Sequence, residues 1–591
     1  MFLSNVRTQA RAVDGDAGDD GLAAVPFTPA RKRVRIGERL LSLGLVGEEQ
    51  LAKALDEQRR SPHKRLGLIL IEQGVLSEAS LASVLGQSVP QARSVLIDPA
   101  AVRMLPRDVA ANHQALSIST GDGVVIVAVT PAFDDTTLEQ LKPFFPAGLR
   151  IEPRIWPQDE LGHMISAAYD HPLAFDAVMA ELDTNASAAA DEAARAGWND
   201  AAVRFVNAAI LETLRLSATA LHLEPRGDRI VVSFRLDGVL EPRGSVPRRE
   251  LAALLMRLEA LAEDGPGAKR LAKDAAGILT GRIAAFLGDR HIEGRISGLP
   301  SAEGEAIVVR LTETTRSPMA LDRLGLGAGT RQALRHAIAR PQGLTIIAGP
   351  RESGRTETLH ALFAEAIQPG AAALTIEARV SHHVAGARQM ALDGAENYSA
   401  AAILRAGIMQ DCDVILIDSI DDRETARAAL DAAMAGIRVI AGLSAPDSFT
   451  ALARMMDLGI SPALVAANVT AIAAQRLGRR LCTVCKRSQA ASPASCEAMG
   501  LDPQAGVTLN MPKGCSYCRD TGFKGRVAFS EVLVINGELA DLIGQGATRS
   551  EIEGFAEEQG FVRIAQDGIA RTVAGETSFD EFMRQFGAAG A

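Results

Sequence analysis

Aromatic side chains are scarce in this chain, which has only 2 Trp, 3 Tyr and 18 Phe in 591 residues. Its folded cores must therefore be aliphatic. A basic excess is also missing: 62 Lys and Arg stand against 72 Asp and Glu, a net charge of -10. That argues against a general nucleic-acid binder, whose footprint is basic, although a local basic patch stays open. No apolar run approaches the roughly 18 to 20 residues that a transmembrane helix requires; the longest, 344–348 and 414–417, have strand length. Residues 1–29 lack the apolar core and cleavage site of a signal peptide, so the expected compartment is the reducing cytosol. The 6 cysteines are then better read as ligands or core thiols than as disulfides.

A chain of this length exceeds one hydrophobic core, and roughly three to five domains are expected. Residues 1–30 are polar, acidic and without periodicity, and read as a tail. An internal repeat follows: Arg35-Ile36-Gly37-Glu38-Arg39-Leu40 with Gly44, Leu51 and Leu55 recurs as Arg65-Leu66-Gly67-Leu68-Ile69-Leu70 with Gly74, Leu81 and Leu85. Two leucines four apart place one apolar stripe on a helix in each copy, so two helical hairpins are expected. With a small α/β unit around 117–155 they make an N-terminal domain over 31–172. The Ala- and acid-rich stretch 173–197 reads as a linker or solvated helix.

A mixed α/β domain is expected over 198–315, with a helix at 202–216, an alternating strand at 230–236, a turn at Asp237-Gly238, and strands at 291–296 and 306–311. Beyond Pro341, apolar strands alternate with long helical segments, the pattern of a parallel sheet. The expected boundaries there are 316–480 for a P-loop domain, 481–528 for a cysteine subdomain and 529–591 for a helical C-terminal region.

The sharpest motif is Gly349-Pro350-Arg351-Glu352-Ser353-Gly354-Arg355-Thr356 after the strand 343–348. It matches G-x-x-x-x-G-K-[ST] except that Arg355 stands where Lys belongs. In such a loop backbone amides and the helix N-terminus cradle phosphates, Lys reaches the β- and γ-phosphates, and the hydroxyl, here Thr356, holds Mg²⁺. A planar guanidinium does not replace an ammonium there, so ATP could be bound while catalysis fails. The alternative is a loop kept only as a strand-to-helix connection.

Cys482-Thr483-Val484-Cys485 and Cys515-Ser516-Tyr517-Cys518 are two C-x2-C knuckles separated by 29 residues. Each brings two thiolates to one ion, and tetrahedral Zn²⁺ needs four, so a closed structural zinc site is expected. Cys412 and Cys496 have no such partners and read as core or surface thiols.

In the order of its segments, residues 33 to 588 resemble the hexameric ATPases of type II secretion and type IV pilus assembly. Ser217-Ala218-Thr219-Ala220-Leu221-His222-Leu223-Glu224-Pro225 is similar to that family's A-S-D-I-H-I-E-P. Arg295-Ile296-Ser297-Gly298-Leu299-Pro300 and Val308-Val309-Arg310-Leu311 are similar to its R-V-S-T-L-P and V-L-R-L. The resemblance implies a RecA-like P-loop core, a mixed α/β (PAS-like) domain before it, an N-terminal helical-repeat domain and a zinc-bearing helical C-terminal region. It also implies that Arg295 and Arg310 reach nucleotide phosphates; ordinary surface or interdomain salt bridges are the alternative.

Departures fall on catalytic elements. The aspartate box T-I-E-D-P-V-E-Y is here Thr375-Ile376-Glu377-Ala378-Arg379-Val380-Ser381-His382, leaving Glu377 as the candidate catalytic acid. The Walker B stretch runs Asp411-Cys412-Asp413-Val414-Ile415-Leu416-Ile417-Asp418-Ser419, with Ser419 at the catalytic glutamate position and Asp418 as a candidate Mg²⁺ partner. The histidine box L-S-T-L-H-T-N-D is Ile440-Ala441-Gly442-Leu443-Ser444-Ala445-Pro446-Asp447, with Ser444 in place of His. Lys, Glu and His are lost together, which points to slow or absent turnover.

The N-terminal repeat resembles the module that, in some members, binds cyclic di-GMP. Arg35 and Arg65 would pair with its phosphates or stack on guanine, whereas a helical docking module is the equal alternative. The resemblance implies a homo- or hetero-hexameric ring, cytoplasmic and peripheral to the inner membrane. Its partners would be inner-membrane platform proteins and a catalytically intact paralogue. Two functions compete: a motor subunit with impaired hydrolysis, and a non-hydrolysing scaffold or regulatory pseudo-ATPase.

Overall fold

The computed structural model describes residues 40–41, 45–60, 66, 69–70, 73–76, 95–121, 123–130, 133, 135–184, 200–263, 269–288, 290–313, 317–392 and 398–587. The chain divides into two compact units, Met1–Ser88 and Val89–Ala591. In the first, helix α1 (Glu48–Arg60) buries Leu51 and Ala54, and these pack with Leu40, Val46, Leu66, Ile69, Leu70 and Leu76. Leu55, expected on the inner stripe, is 40% exposed. The buried face runs through the i, i+3 pair instead. Arg35, Arg65 and the tail 1–30 lie outside the described residues.

The second unit opens with a three-stranded sheet, β1 (Ala115–Gly121), β2 (Val124–Val129) and β3 (Arg150–Ile155), in which β1–β2 is antiparallel and β2–β3 parallel. Helix α2 (Gln158–Asp170) covers it with Leu161, Met164 and Ile165, and Trp156 is fully buried beneath.

The expected linker holds a helix at its start. Residues Phe175–Thr184 form α3, whose Phe175, Val178 and Leu182 are buried, an i, i+3, i+7 stripe hidden in an Ala- and acid-rich composition. These residues join the core of the next domain, where Phe175 meets Phe205 and Phe234 with ring centres 5.7 and 5.4 Å apart. Arg204, itself buried, pairs with Glu181 through two hydrogen bonds of 2.7 and 2.8 Å.

That domain contains α4 (Ala201–Arg215), β4 (Ala220–Arg226), β5 (Arg229–Leu236), β6 (Val239–Pro247), α5 (Leu251–Glu263), β7 (Lys269–Lys273), β8 (Leu279–Leu287), β9 (Arg290–Ser301) and β10 (Gly304–Glu313). Its sheet runs β6-β5-β4-β10-β9-β8-β7, antiparallel throughout.

After α6 (Ala328–Ala339) the strands become parallel. They are β11 (Gly343–Ala348), β12 (Ala373–Glu377), β13 (Ala387–Ala391), β14 (Val414–Ile417), β15 (Arg438–Leu443) and β16 (Val469–Leu481). Between them lie α7 (Arg355–Ala366), α8 (Ala400–Met409), α9 (Arg423–Met434) and α10 (Ser448–Asp457). The small pair β17 (Arg487–Ala490) and β18 (Thr508–Met511) precedes β19 (Phe523–Val534). The main sheet runs β13-β12-β14-β15-β11-β16-β19, with β19 antiparallel to β16 and all other pairs parallel. The strands are apolar runs because helices cover both faces. Residues 482–522 are thus an insertion between two neighbouring strands of one sheet.

The C-terminal helices include α11 (Ile564–Val573) and α12 (Phe579–Phe586). Glu581, fully buried on α12, accepts from Arg479 Nε of β16 at 3.0 Å and from the Arg479 amide at 2.8 Å. Among the described residues no helix is long and apolar enough to cross a membrane.

Candidate nucleotide site and tetracysteine centre

The strand β11 ends at Ala348, and residues 349–354 carry the chain into α7. Two glycines make this loop possible. A Cβ at Gly349 would lie 2.3 Å from Ser353 Oγ and 2.8 Å from the Gln475 carbonyl, and Gly354 has φ +82. Gln475, buried on β16, donates to the Ser353 carbonyl at 2.7 Å and accepts from Thr358 at 2.8 Å, so one side chain fixes the loop to its helix. Its role depends on partners more than a hundred residues upstream, and no local motif announces it.

Arg355 opens α7 with its side chain turned inward. Its Nη1 donates to the Gly349 carbonyl at 3.4 Å, and its buried Nε has no hydrogen-bond partner among the described residues. Thr356 follows, half-buried, and the buried Ser353 Oγ likewise has no partner among the described residues. A glycine cradle at a helix N-terminus with orphaned donors facing inward fits a phosphate chain. Gly349, Ser353, Gly354, Arg355 and Thr356 would hold it, with Pro350 exposed at the outer bend.

The loop tip is held from the preceding domain. Arg310 Nη1 on β10 donates to Glu352 Oε1 at 2.9 Å, and Glu352 itself has φ +65. Arg295 sits opposite Arg310 in the register of β9 and β10 and is exposed. The structure therefore brings Arg310 to the loop, where a carboxylate of the same chain accepts its hydrogen bond.

At the end of β12, Glu377 is fully buried and engaged. It accepts from Thr375 Oγ1 at 2.7 Å, from the Ser381 amide at 3.3 Å and faces His360 Nε2 at 3.0 Å. The Nδ1 of His360 lies 2.9 Å from the Thr356 carbonyl, which can only accept, so that nitrogen carries a proton. Burial disfavours the charged forms of both partners, but the hydrogen bond and charge between them outweigh it. His360 is thereby raised above its ordinary pKa, and Glu377 is held below its own. His382 packs at a tilt against His360, with ring centres 4.7 Å apart and ring planes 41° apart, and reaches Glu357 at 3.2 Å.

Asp418 follows β14 beside Arg355; burial pushes its carboxyl up, and the Arg355 charge works the other way. Ser419 Oγ donates to Asp421 at 2.8 Å, and Ser444 is exposed beyond β15.

In the insertion between β16 and β19, Cys482, Cys485, Cys515 and Cys518 place their sulfurs within 4.8 Å of one another. Three Sγ pairs are 3.9, 3.7 and 3.6 Å apart. A tetrahedral ion with Zn–S bonds of about 2.3 Å has an edge of about 3.8 Å, so the donor set fits zinc. Cys412 and Cys496 are buried elsewhere.

These features define a P-loop protein with an antiparallel α/β domain attached to its core. Residues 198–584 match the family described as Type II/IV secretion system protein, and residues 85–174 match the MshEN domain. The chain belongs to the type II/IV secretion system protein family. It is 33% identical over 450 residues to type II secretion system protein E of Pseudomonas aeruginosa, covering 74% of this chain and 88% of that one. It is 29% identical over 562 residues to the type IV pilus assembly ATPase PilB of Myxococcus xanthus, covering 93% and 98%. Among solved structures, the Legionella pneumophila ATPase DotB aligns with TM-score 0.47 at 15% identity, covering 64% of this chain and 94% of that one. A structure of MshE with cdg aligns with TM-score 0.21 at 33% identity, covering 23% and 100%. The MshEN match begins after Arg35 and Arg65.

Proposed function

We propose that this protein is a nucleotide-binding ring component of a type II secretion or type IV pilus machine, and that it supports the machine without efficient ATP hydrolysis. The observation that carries this reading is the fate of the acids around the loop. Glu377, the retained acid of its box, is engaged by His360, and the β14 end presents Ser419, whose hydroxyl serves Asp421. Neither group can orient a water for attack on a terminal phosphate as a free carboxylate would. Mg²⁺, when bound with nucleotide, would supply charge neutralisation next to Thr356 and Asp418, while the loop amides orient the phosphates.

The ring is hexameric, cytoplasmic and peripheral to the inner membrane, in contact with platform proteins and with a catalytically intact paralogue. The domain 198–315 is PAS-like and leans on the P-loop through Arg310 and Glu352. The four cysteines hold a structural zinc. A regulatory reading is favoured by the repeated R-[LI]-G-x-x-L motif, through which Arg35 and Arg65 take cyclic di-GMP, and by the MshEN match over residues 85–174 that follow it.

Phosphate release from Mg-ATP by the purified full chain tests the central reading, with Thr356→Ala as control. Release at the level of the control supports it, and a brisk rate that Thr356→Ala abolishes overturns it.

A further inference from the structure

We propose that the phosphate cradle of this chain prefers a nucleoside diphosphate to a triphosphate, because the Arg355 guanidinium stands where the third phosphate would enter. The proposal rests on the nucleotide-binding reading above and deepens it. In a loop of this type the backbone amides cradle the α- and β-phosphates, and the residue at position 355 reaches past them toward the γ-phosphate. A lysine there is a slim point charge that lies alongside the chain of phosphates. Arg355 instead carries a broad planar group, folded back so that Nη1 meets the Gly349 carbonyl at the tip of β11.

The space this group takes is prepared by the neighbouring strand. A Cβ on Gly442, next to last in β15, would lie 3.2 Å from Arg355 Nε and 2.0 Å from the Asp418 carbonyl oxygen. No side chain fits at 442, and the guanidinium passes over the bare backbone. It therefore sits among the ends of β11, β14 and β15, at the inner end of the cradle. Asp418 flanks it there with a carboxyl group. A diphosphate would end on the loop amides and take the remaining guanidinium N–H groups as forked donors. A third phosphate would have to displace the guanidinium from this position, adding steric conflict.

Calorimetric titration of the full chain with Mg-ADP and with the Mg complex of the non-hydrolysable β,γ-imido triphosphate tests this, so that turnover does not enter. The expected result is a diphosphate affinity about tenfold or more above that of the imido triphosphate. Arg355→Lys, which keeps the charge but removes the breadth and the forked donors, is expected to shrink that ratio by about tenfold. Equal or tighter triphosphate binding, or a ratio unmoved by Arg355→Lys, overturns the proposal while leaving a non-hydrolysing nucleotide site intact. Absence of binding by either nucleotide, in a protein with an unchanged melting profile, overturns both.

Discussion

His360 donates from Nδ1 to the Thr356 carbonyl, so its contact with Glu377 needs a second proton, either on Nε2 or on the carboxyl. The raised histidine and lowered glutamate place it on the imidazole, giving a buried ion pair under the first turn of α7. His360, raised in the fold, contributes stability that is complete below its unfolded pKa near 6.5 and is lost as pH rises through its folded value. Glu377, lowered in the fold, contributes stability that is complete above its unfolded pKa near 4.3 and is lost as pH falls through its folded value. The pair is thus worth most between about pH 4.5 and 6.5. His360→Gln, which strands a buried carboxylate, is expected to cost about 3 kcal/mol or more in that window. Melting temperatures of parent and variant across pH check this: the gap should narrow above the folded histidine pKa. Neither His360 nor Gly442 was legible as functional in the sequence, because each acquires its role from a residue on another strand.

Between elements, Glu531 on β19 does the work of a clamp. Its buried carboxylate accepts from the Ser448 amide at 2.6 Å and hydroxyl at 2.7 Å, and from the Ile564 amide at 2.8 Å. One negative charge thereby caps the first turns of both α10 and α11, where the helix dipoles favour it. Glu531→Ala is expected to cost about 3 kcal/mol, since it leaves several donors buried and unmet, and Glu531→Gln less. Denaturant midpoints of the core transition, with hydrogen exchange at residues 448 and 564, read this out; an unchanged midpoint contradicts it. The parallel strands were legible because apolar runs, glycine loops and helical segments alternate in order. The β16–β19 pair was not, since 41 residues with their own turns and thiols separate strands that register Ala471 against Val534. The burial of helix α3 escaped for another reason: three apolar contacts at helical spacing sit among alanines and acids that read as linker or solvated helix.

Over the whole molecule, the parallel sheet and the antiparallel domain meet at one loop, and the cysteine insertion lies beyond them between β16 and β19. Arg310 links the antiparallel domain to Glu352 of the loop, and the insertion ties the distal ends of β16 and β19. Removal of the metal should therefore loosen the sheet edge that carries Gln475. Elemental analysis is expected to find about one zinc per chain, and Cys515→Ser to lose it with a melting point lower by several degrees. A chain purified without metal and equally stable would refute the zinc assignment. The most direct measurement of the central claim is a gain of function. Phosphate release from Mg-ATP should rise well above the parent level in the Arg355→Lys, Ser419→Glu, Ser444→His triple variant, with the parent indistinguishable from Thr356→Ala. A parent that already hydrolyses ATP at a rate which Thr356→Ala abolishes and Ser419→Glu leaves unchanged would contradict the account.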